Sequence, residues 1–305
     1  MEWKRSGSLG PVASAIRQLR MAQGSFPHRV IPLLAVPYVG KAAQERCAQA
    51  EVPWLDLSGN ARIIVPGIFY QDLGNPNRFR RPGRPESAFG PKGSRIARLL
   101  PIEPSKAMTQ RAIASGTGVD EGHTSRIVGK LLQADLVERG EDGVRVPNPG
   151  TLLDAWREAY GFDRHHVIRG HISSGRGDPL TRLIAETLSK ANIPYAATAL
   201  SAAWLWTRYA GFRLSTVYLP TPPSKSIQKG LGFREEPRGA NTWLVVPNDE
   251  GVFVGAESVE GIRCVHPVQA YLNLKDHPER STEAAAELRS QILLRGDDDL
   301  QAIDR

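Results

Sequence analysis

The chain has 305 residues, a formal net charge of +7, 41% hydrophobic and 23% charged residues, and a sequence pI near 9.6. That length accommodates two or three domains with separate cores. The composition is that of a globular protein without the roughly 20-residue apolar run of a membrane span, and its basic balance permits a nucleic-acid partner.

The first twenty residues carry basic groups but no continuous apolar stretch, so no secretory signal is expected. Residues 1–75 read as a small α/β module with an N-terminal helix. Within it RVIPLLAVPYV predicts a strand and GKAAQERCAQAEV a helix; PWLDLSGNARIIV predicts a strand broken at Ser58-Gly59-Asn60. Cys47 and Cys264 stand alone with no C-x-x-C, which fits a reducing cytosol and argues against structural zinc. Asp56 with Glu45 would suggest a metal-dependent nuclease, since paired carboxylates hold a divalent cation. Such a site wants a second acid and a lysine two residues on, where this chain has Asn60-Ala61-Arg62. Asp56 and Asn60 are instead expected to cap a turn.

Residues 76–93 predict a basic Pro/Gly linker. Arg78, Arg80, Arg81, Arg84, Lys92 and Arg95 crowd here and just beyond against the single acid Glu86. A segment of this kind either follows phosphates and enters the minor groove or simply faces water.

Residues 94–150 predict a winged helix-turn-helix. SRIARLLPIEP reads as a first helix with Ile96, Leu99 and Leu100 at helical spacing. Thr109 is the expected N-cap of a second helix ending at Gly118, and Asp120 that of a third over 121–137. ERGEDGVRVP predicts a two-stranded wing turning at Asp142-Gly143. On the third helix Thr124, Ile127, Val128 and Leu131 follow the spacing of a buried face. Gly122, His123, Ser125, Arg126, Gly129 and Lys130 then look outward, small residues allowing close approach and Arg126 and His123 able to reach base edges. Thr109, Gln110 and Arg111 at the second helix, with Arg139 and Arg145 on the wing, complete the residues expected on DNA.

Residues 151–295 predict a C-terminal α/β domain. TLLDAWREAYGF reads as a linking helix with Leu152, Leu153, Trp156 and Tyr160 on one face. DPLTRLIAETLSKANI is an amphipathic helix, PYAATAL with SAAWLWTRYAGF a strand and helix, and FRLSTVYLP, TWLVVP and VFVG further strands. Two closing helices split at Pro278, with Ser281 as N-cap, and 296–305 reads as a disordered acidic tail. His165, His166, His171 and His266 fall at no metal-binding spacing, and no cofactor or catalytic residue is assigned.

The helix-turn-helix TQRAIASGTGVDEGHTSRIVGKLLQADLVER, the segment YAATALSAAWLW and the terminal VHPVQAYLNLKDHPERSTEAAAELR together resemble the AbiEi-type antitoxins and related winged-helix regulators, over roughly residues 90–295. The N-terminal module resembles a degenerate restriction-endonuclease-like fold. YAATALSAAWLW followed by FRLSTVYL is similar to the opening of nucleotidyltransferases, with Ser215 and Val217 where that family's metal-binding acids would stand. The resemblance implies an α/β multi-domain protein, a winged helix flanked by this module and a non-catalytic nucleotidyltransferase-like domain. The expected function is a cytoplasmic, nucleoid-associated regulator reading double-stranded DNA, with a toxin or a second copy as further partner and no membrane. The alternatives are an antitoxin that autoregulates its operon, or a metal-dependent nuclease or nucleotidyltransferase.

Overall fold

The computed structural model describes residues 1–4, 6–25, 30–79, 88–100, 107–209 and 211–303, with side chains to residue 292. The described residues are mixed α/β with three sheets, and the chain divides into two compact units, Met1–Ala159 and Tyr160–Arg305.

In the first unit β1 (Glu2–Trp3), α1 (Leu9–Gln23), β2 (Leu34–Val36), α2 (Lys41–Gln49) and β3 (Trp54–Asp56) alternate, so the three strands run parallel. Right-handed crossovers place both helices on one face. There Leu9, Val12, Ile16, Leu34, Val36, Cys47 and Trp54 form a core. The sheet continues antiparallel through β4 (Ala61–Val65) and β5 (Ile68–Asp72), in the order β1-β2-β3-β4-β5. The long strand expected over 29–39 is only three residues, because Pro32 and Pro37 flank it and cannot donate to a ladder. β5, not among the expected strands, follows a hairpin turn at Pro66-Gly67, where Gly67 holds φ at 83°.

Three helices come next: α3 (Pro91–Leu99), α4 (Gln110–Thr117) and α5 (Glu121–Gln133). They are followed by the hairpin β6 (Glu138–Gly140) and β7 (Gly143–Arg145), and then by α6 (Pro149–Ala159). α3 begins three residues earlier than expected, with Pro91 in its first turn, a position whose missing N–H costs nothing. Lys92 is therefore helical and not part of the linker, while Arg95 lies on the helix as expected. The hairpin turns at Glu141-Asp142, one residue before the expected place. Gly143 belongs to the ladder at a φ of 132°, and any Cβ there would stand 2.5 Å from the Met108 carbonyl oxygen. That approach lets Met108 and Val144 exchange two main-chain hydrogen bonds of 2.8 Å, adding a third short segment beside the hairpin.

α6 was expected to link two domains; it belongs to the first unit, packing on α1 and α2 with Leu152, Leu153 and Trp156 fully buried. Tyr160, expected on the same face, opens the second unit. The module at 1–75 and the segment at 94–150 are likewise parts of one compact unit. Gly10 of α1 sits so close to Ala134 that a Cβ would overlap the Ala134 carbonyl. Arg98, on α3, is 2% exposed and lies 5.5 Å from the Trp156 ring centre.

The second unit contains β8 (His166–Ile172), α7 (Gly177–Lys190), β9 (Ala196–Ala197), α8 (Ala199–Thr207), β10 (Ser215–Tyr218), α9 (Lys225–Leu231), β11 (Phe233–Glu235) and β12 (Thr242–Val246). It closes with β13 (Glu257–Val259), β14 (Ile262–Cys264), α10 (Pro267–Asn273) and α11 (Ser281–Ile303). Its sheet has the order β11-β8-β12-β10-β9-β14-β13. β9 stops after two residues because Ala199 turns left-handed at a φ of 48° and starts α8. VFVG is not a strand: Asp249 accepts a 2.8 Å hydrogen bond from the Gly251 N–H, and Glu250–Phe253 winds into a 3-10 turn. Ser281 does not cap α11; its hydroxyl donates to the His277 carbonyl. α11 runs on through the stretch read as an acidic tail, since no proline follows Pro278 and the lone Gly296 costs only about 1 kcal/mol.

A buried polar network crosses this unit. The Asn273 amide donates to the Tyr160 and Tyr218 hydroxyls at 2.6 and 2.7 Å, and its oxygen accepts from Thr198 and Gln269 at 2.8 and 3.0 Å. His165 joins through Tyr160 at 2.7 Å. The Asn248 N–H can only donate to His165 Nδ1 at 3.2 Å, so the ring carries its proton on Nε2.

Candidate nucleic-acid interface

The site grows from two helix caps. Thr109 Oγ1 accepts from the Ala112 N–H at 3.1 Å, starting α4. Gly118 ends that helix at a φ of 65°, and two residues later Asp120 Oδ1 accepts from the His123 N–H at 2.8 Å, starting α5. The His123 N–H holds the Asp120 carboxyl below its ordinary range, with Lys92 nearby contributing. So tight a junction forces the second helix across the first. α5 then buries Thr124, Ile127, Val128 and Leu131, the four residues its spacing predicts.

Its other face carries Gly122, Ser125 and Arg126 exposed, and His123, Gly129 and Lys130 half-buried. A Cβ at Gly129 would meet nothing within 4 Å, and one at Gly122 would make only an ordinary 3.6 Å contact with Asp120. Neither glycine is required by packing. Arg126 lies back along the helix, its Nε donating to the Gly122 carbonyl at 3.4 Å and a terminal nitrogen to His123 Nδ1 at 3.2 Å. Because arginine only donates, His123 Nδ1 is an acceptor and the neutral ring's own proton is on Nε2. The face therefore offers a guanidinium and an imidazole N–H, donors suited to the N7 and O6 of guanine or to phosphate.

At the start of α4, Thr109 and Arg111 are exposed and Gln110 is half-buried. Arg111 reaches Glu121 at 3.9 Å, joining the α4 start to the α5 start. Lys92 of α3 is 3.6 Å from Asp120, and Arg95 is half-buried on the same helix. On the hairpin Arg139 is exposed, while Arg145 pairs with Glu138 at 3.3 Å. Arg80, Arg81 and Arg84 lie outside the described residues. Arg78 is exposed, and its main-chain N–H donates to the Ser58 hydroxyl in the turn between β3 and β4 at 3.2 Å.

The sequence reading missed the acids of this surface. Glu121 and Glu138 each hold an arginine named for DNA, so those cations start from an ion pair and not from water. The signal was available, since an acid directly after an N-cap favours the helix dipole. All these pairs are solvent-exposed and are worth little in stability.

Asp56, weighed as a metal ligand, is buried with both oxygens used. Oδ1 accepts from the Ser58 and Asn60 N–H groups at 2.8 and 2.9 Å, and Oδ2 from Val39 N–H and Asn60 Nδ2 at 3.2 and 2.9 Å. On β10 Ser215 donates or accepts with Thr181 at 2.9 Å, and Val217 is buried. The thiols of Cys47 and Cys264 are pushed up to about 12 by burial. Comparisons with protein-family models, with curated proteins and with solved structures give no match to this chain.

Proposed function

We propose that α3, α4 and α5 with the β6–β7 hairpin, within the 94–150 segment read as a winged helix, bind double-stranded DNA, and that the chain is a sequence-specific transcriptional regulator. α5 is the recognition helix, the start of α4 sets Thr109, Gln110 and Arg111 on the phosphate backbone, and the hairpin is the wing, with Arg139 and Arg145 alongside. The observation that carries this reading is the α5 face. It presents unoccluded glycines beside Arg126 and Lys130, opposite a fully buried apolar side. A helix whose exposed side is both small and cationic lets its backbone come close to an anionic groove.

The two flanking α/β regions are scaffolds in this proposal. Asp56 is committed to four N–H donors, and β10 carries Ser215 and Val217 where a nucleotidyltransferase would place metal-binding acids. The resemblance to AbiEi-type antitoxins makes the DNA of its own operon the first place to look for an operator.

The test starts by retaining sheared genomic DNA on the immobilised full chain and sequencing what binds. Labelled duplexes from the enriched fragment and from scrambled sequence are then titrated by fluorescence anisotropy. The expected preference is about a thousandfold or more. Arg126→Ala should weaken the enriched duplex by about 1–3 kcal/mol, and Lys130→Ala should lower the salt slope by about one. Equal affinity for both duplexes, or an Arg126→Ala variant indistinguishable from the parent, overturns the proposal.

A further inference from the structure

The two edges of the N-terminal sheet are built differently. β1 is two residues long, with Glu2 paired to Lys4 at 3.2 Å, a short and charged edge of the kind that discourages pairing. β5 has five residues, all exposed, with no charge before Asp72. Phe69 is 75% exposed, Ile68 56% and Tyr70 52%, and Ile64 and Leu73 beside them are exposed too. No lysine, proline or bulge blunts this strand.

We propose that β5 pairs with β5 of a second copy of this chain, antiparallel about a twofold axis, making one continuous ten-stranded sheet from the two five-stranded ones. The partner is argued from self-complementarity. A twofold axis normal to the sheet preserves faces, so it must pass midway between a residue and that residue's own copy, since opposed residues share a face. Centred on Phe69, it sets Phe69 against its own copy and Ile68 against Tyr70, so every apolar side chain meets an apolar one. Centred on Tyr70, it sets Ile68 against Asp72 and Phe69 against Gln71.

The main chain agrees. An antiparallel ladder alternates bonded and unbonded pairs, and a two-residue turn closes on a bonded pair, here Val65 and Ile68. The N–H and C=O groups of Phe69 and Gln71 are left on the open side, so the Phe69 pair can exchange two hydrogen bonds. Ile68, Phe69 and Tyr70, with on the order of 100 Å² accessible each, offer about 300 Å² per copy beside the main-chain ladder. The pair then buries about 600 Å² of side-chain surface, the size of a weak, concentration-dependent contact.

This inference is independent of DNA binding and is tested without DNA. Sedimentation velocity of the full chain between about 1 and 100 μM should give a species of twice the 33.4 kDa chain mass. Phe69→Lys sets like charges opposite each other across the axis and should raise the dimer dissociation constant at least tenfold. Phe69→Pro removes the open-side donor, and an edge strand tolerates that loss, so its monomer should keep the parent's circular dichroism and melting temperature. A monomeric parent over this range, or a dimer that survives both substitutions, overturns the proposal.

Discussion

Replacing Gly129 with alanine sets the stability of α5 against its proposed contact with DNA. Glycine inside a helix is less favourable than alanine by about 0.8–1.0 kcal/mol. A Cβ at this position meets nothing within 4 Å, so nothing in the fold offsets that gain. The variant should be more stable by close to 1 kcal/mol, a rise of about 2–4 °C in the melting of a unit of this size. Against DNA the sign reverses. Gly129 is three residues from Arg126 and seven from Gly122, on the same helical face, and a methyl group inserted into a close-packed contact costs about 1–3 kcal/mol. Binding should weaken roughly 5- to 150-fold, because each 1.4 kcal/mol is about tenfold. Scanning calorimetry and anisotropy titration on the same preparation read both effects. A variant that is more stable and binds unchanged refutes the placement of this face against the groove. One that is less stable refutes the free space from which the gain is derived.

Asp56→Asn should cost more than about 2 kcal/mol in urea unfolding, because its new amide would confront the Val39 and Asn60 donors that Oδ2 now accepts; an unchanged midpoint would show that this carboxylate is not the turn's organiser. Burial pushes His165 and His277 down to about 4, below their ordinary 6.5. The unfolded chain therefore binds more protons between those values, and stability is fully present above about pH 6.5 and falls as pH drops toward 4. Each ring contributes up to about 1.4 kcal/mol per pH unit in that window. Trp243, 5.1 Å from His277, is a fluorescence reporter for urea titrations from pH 7.5 to 4.5, and a flat stability there would contradict buried neutral rings.

What the sequence disclosed best was local chemistry. Thr109 and Asp120 both accept the N–H three residues on, and the buried face of α5 matches its spacing residue for residue. Caps and periodicity depend on neighbours within a turn or two, so they can be read without the fold. β5 was missed although a Pro-Gly turn and the strand formers Ile68-Phe69-Tyr70 mark it, because a strand exposed on both faces shows no alternation to reinforce them. VFVG has strand-forming residues, but Asp249 captures the next turn's N–H and bends the chain first. The end of the linker was set instead by Pro91, which starts α3 three residues sooner than the apolar spacing from Ile96 indicates. At the proposed interface, counting cations found Arg111 and Arg145 but not the carboxylates that face them.

The Asn273 amide has a consequence for how the second unit can change over evolutionary time. Its two N–H bonds and both lone pairs are taken, by groups before β8, on β10, at the head of α8 and on its own helix. Aspartate would remove two donors, and glutamine is a methylene too long for a site with no exposed surface. Leucine would take a partner from four polar groups at once, although the Tyr160 hydroxyl keeps His165. No single step leads away from asparagine without a cost comparable to much of a domain's stability. The neighbouring positions Thr198, Tyr218 and Gln269 can then drift only in concert with it. In a mutational library scored for folding alone, column 273 should be close to empty of every other residue, while exposed positions on α11 accept most of the alphabet.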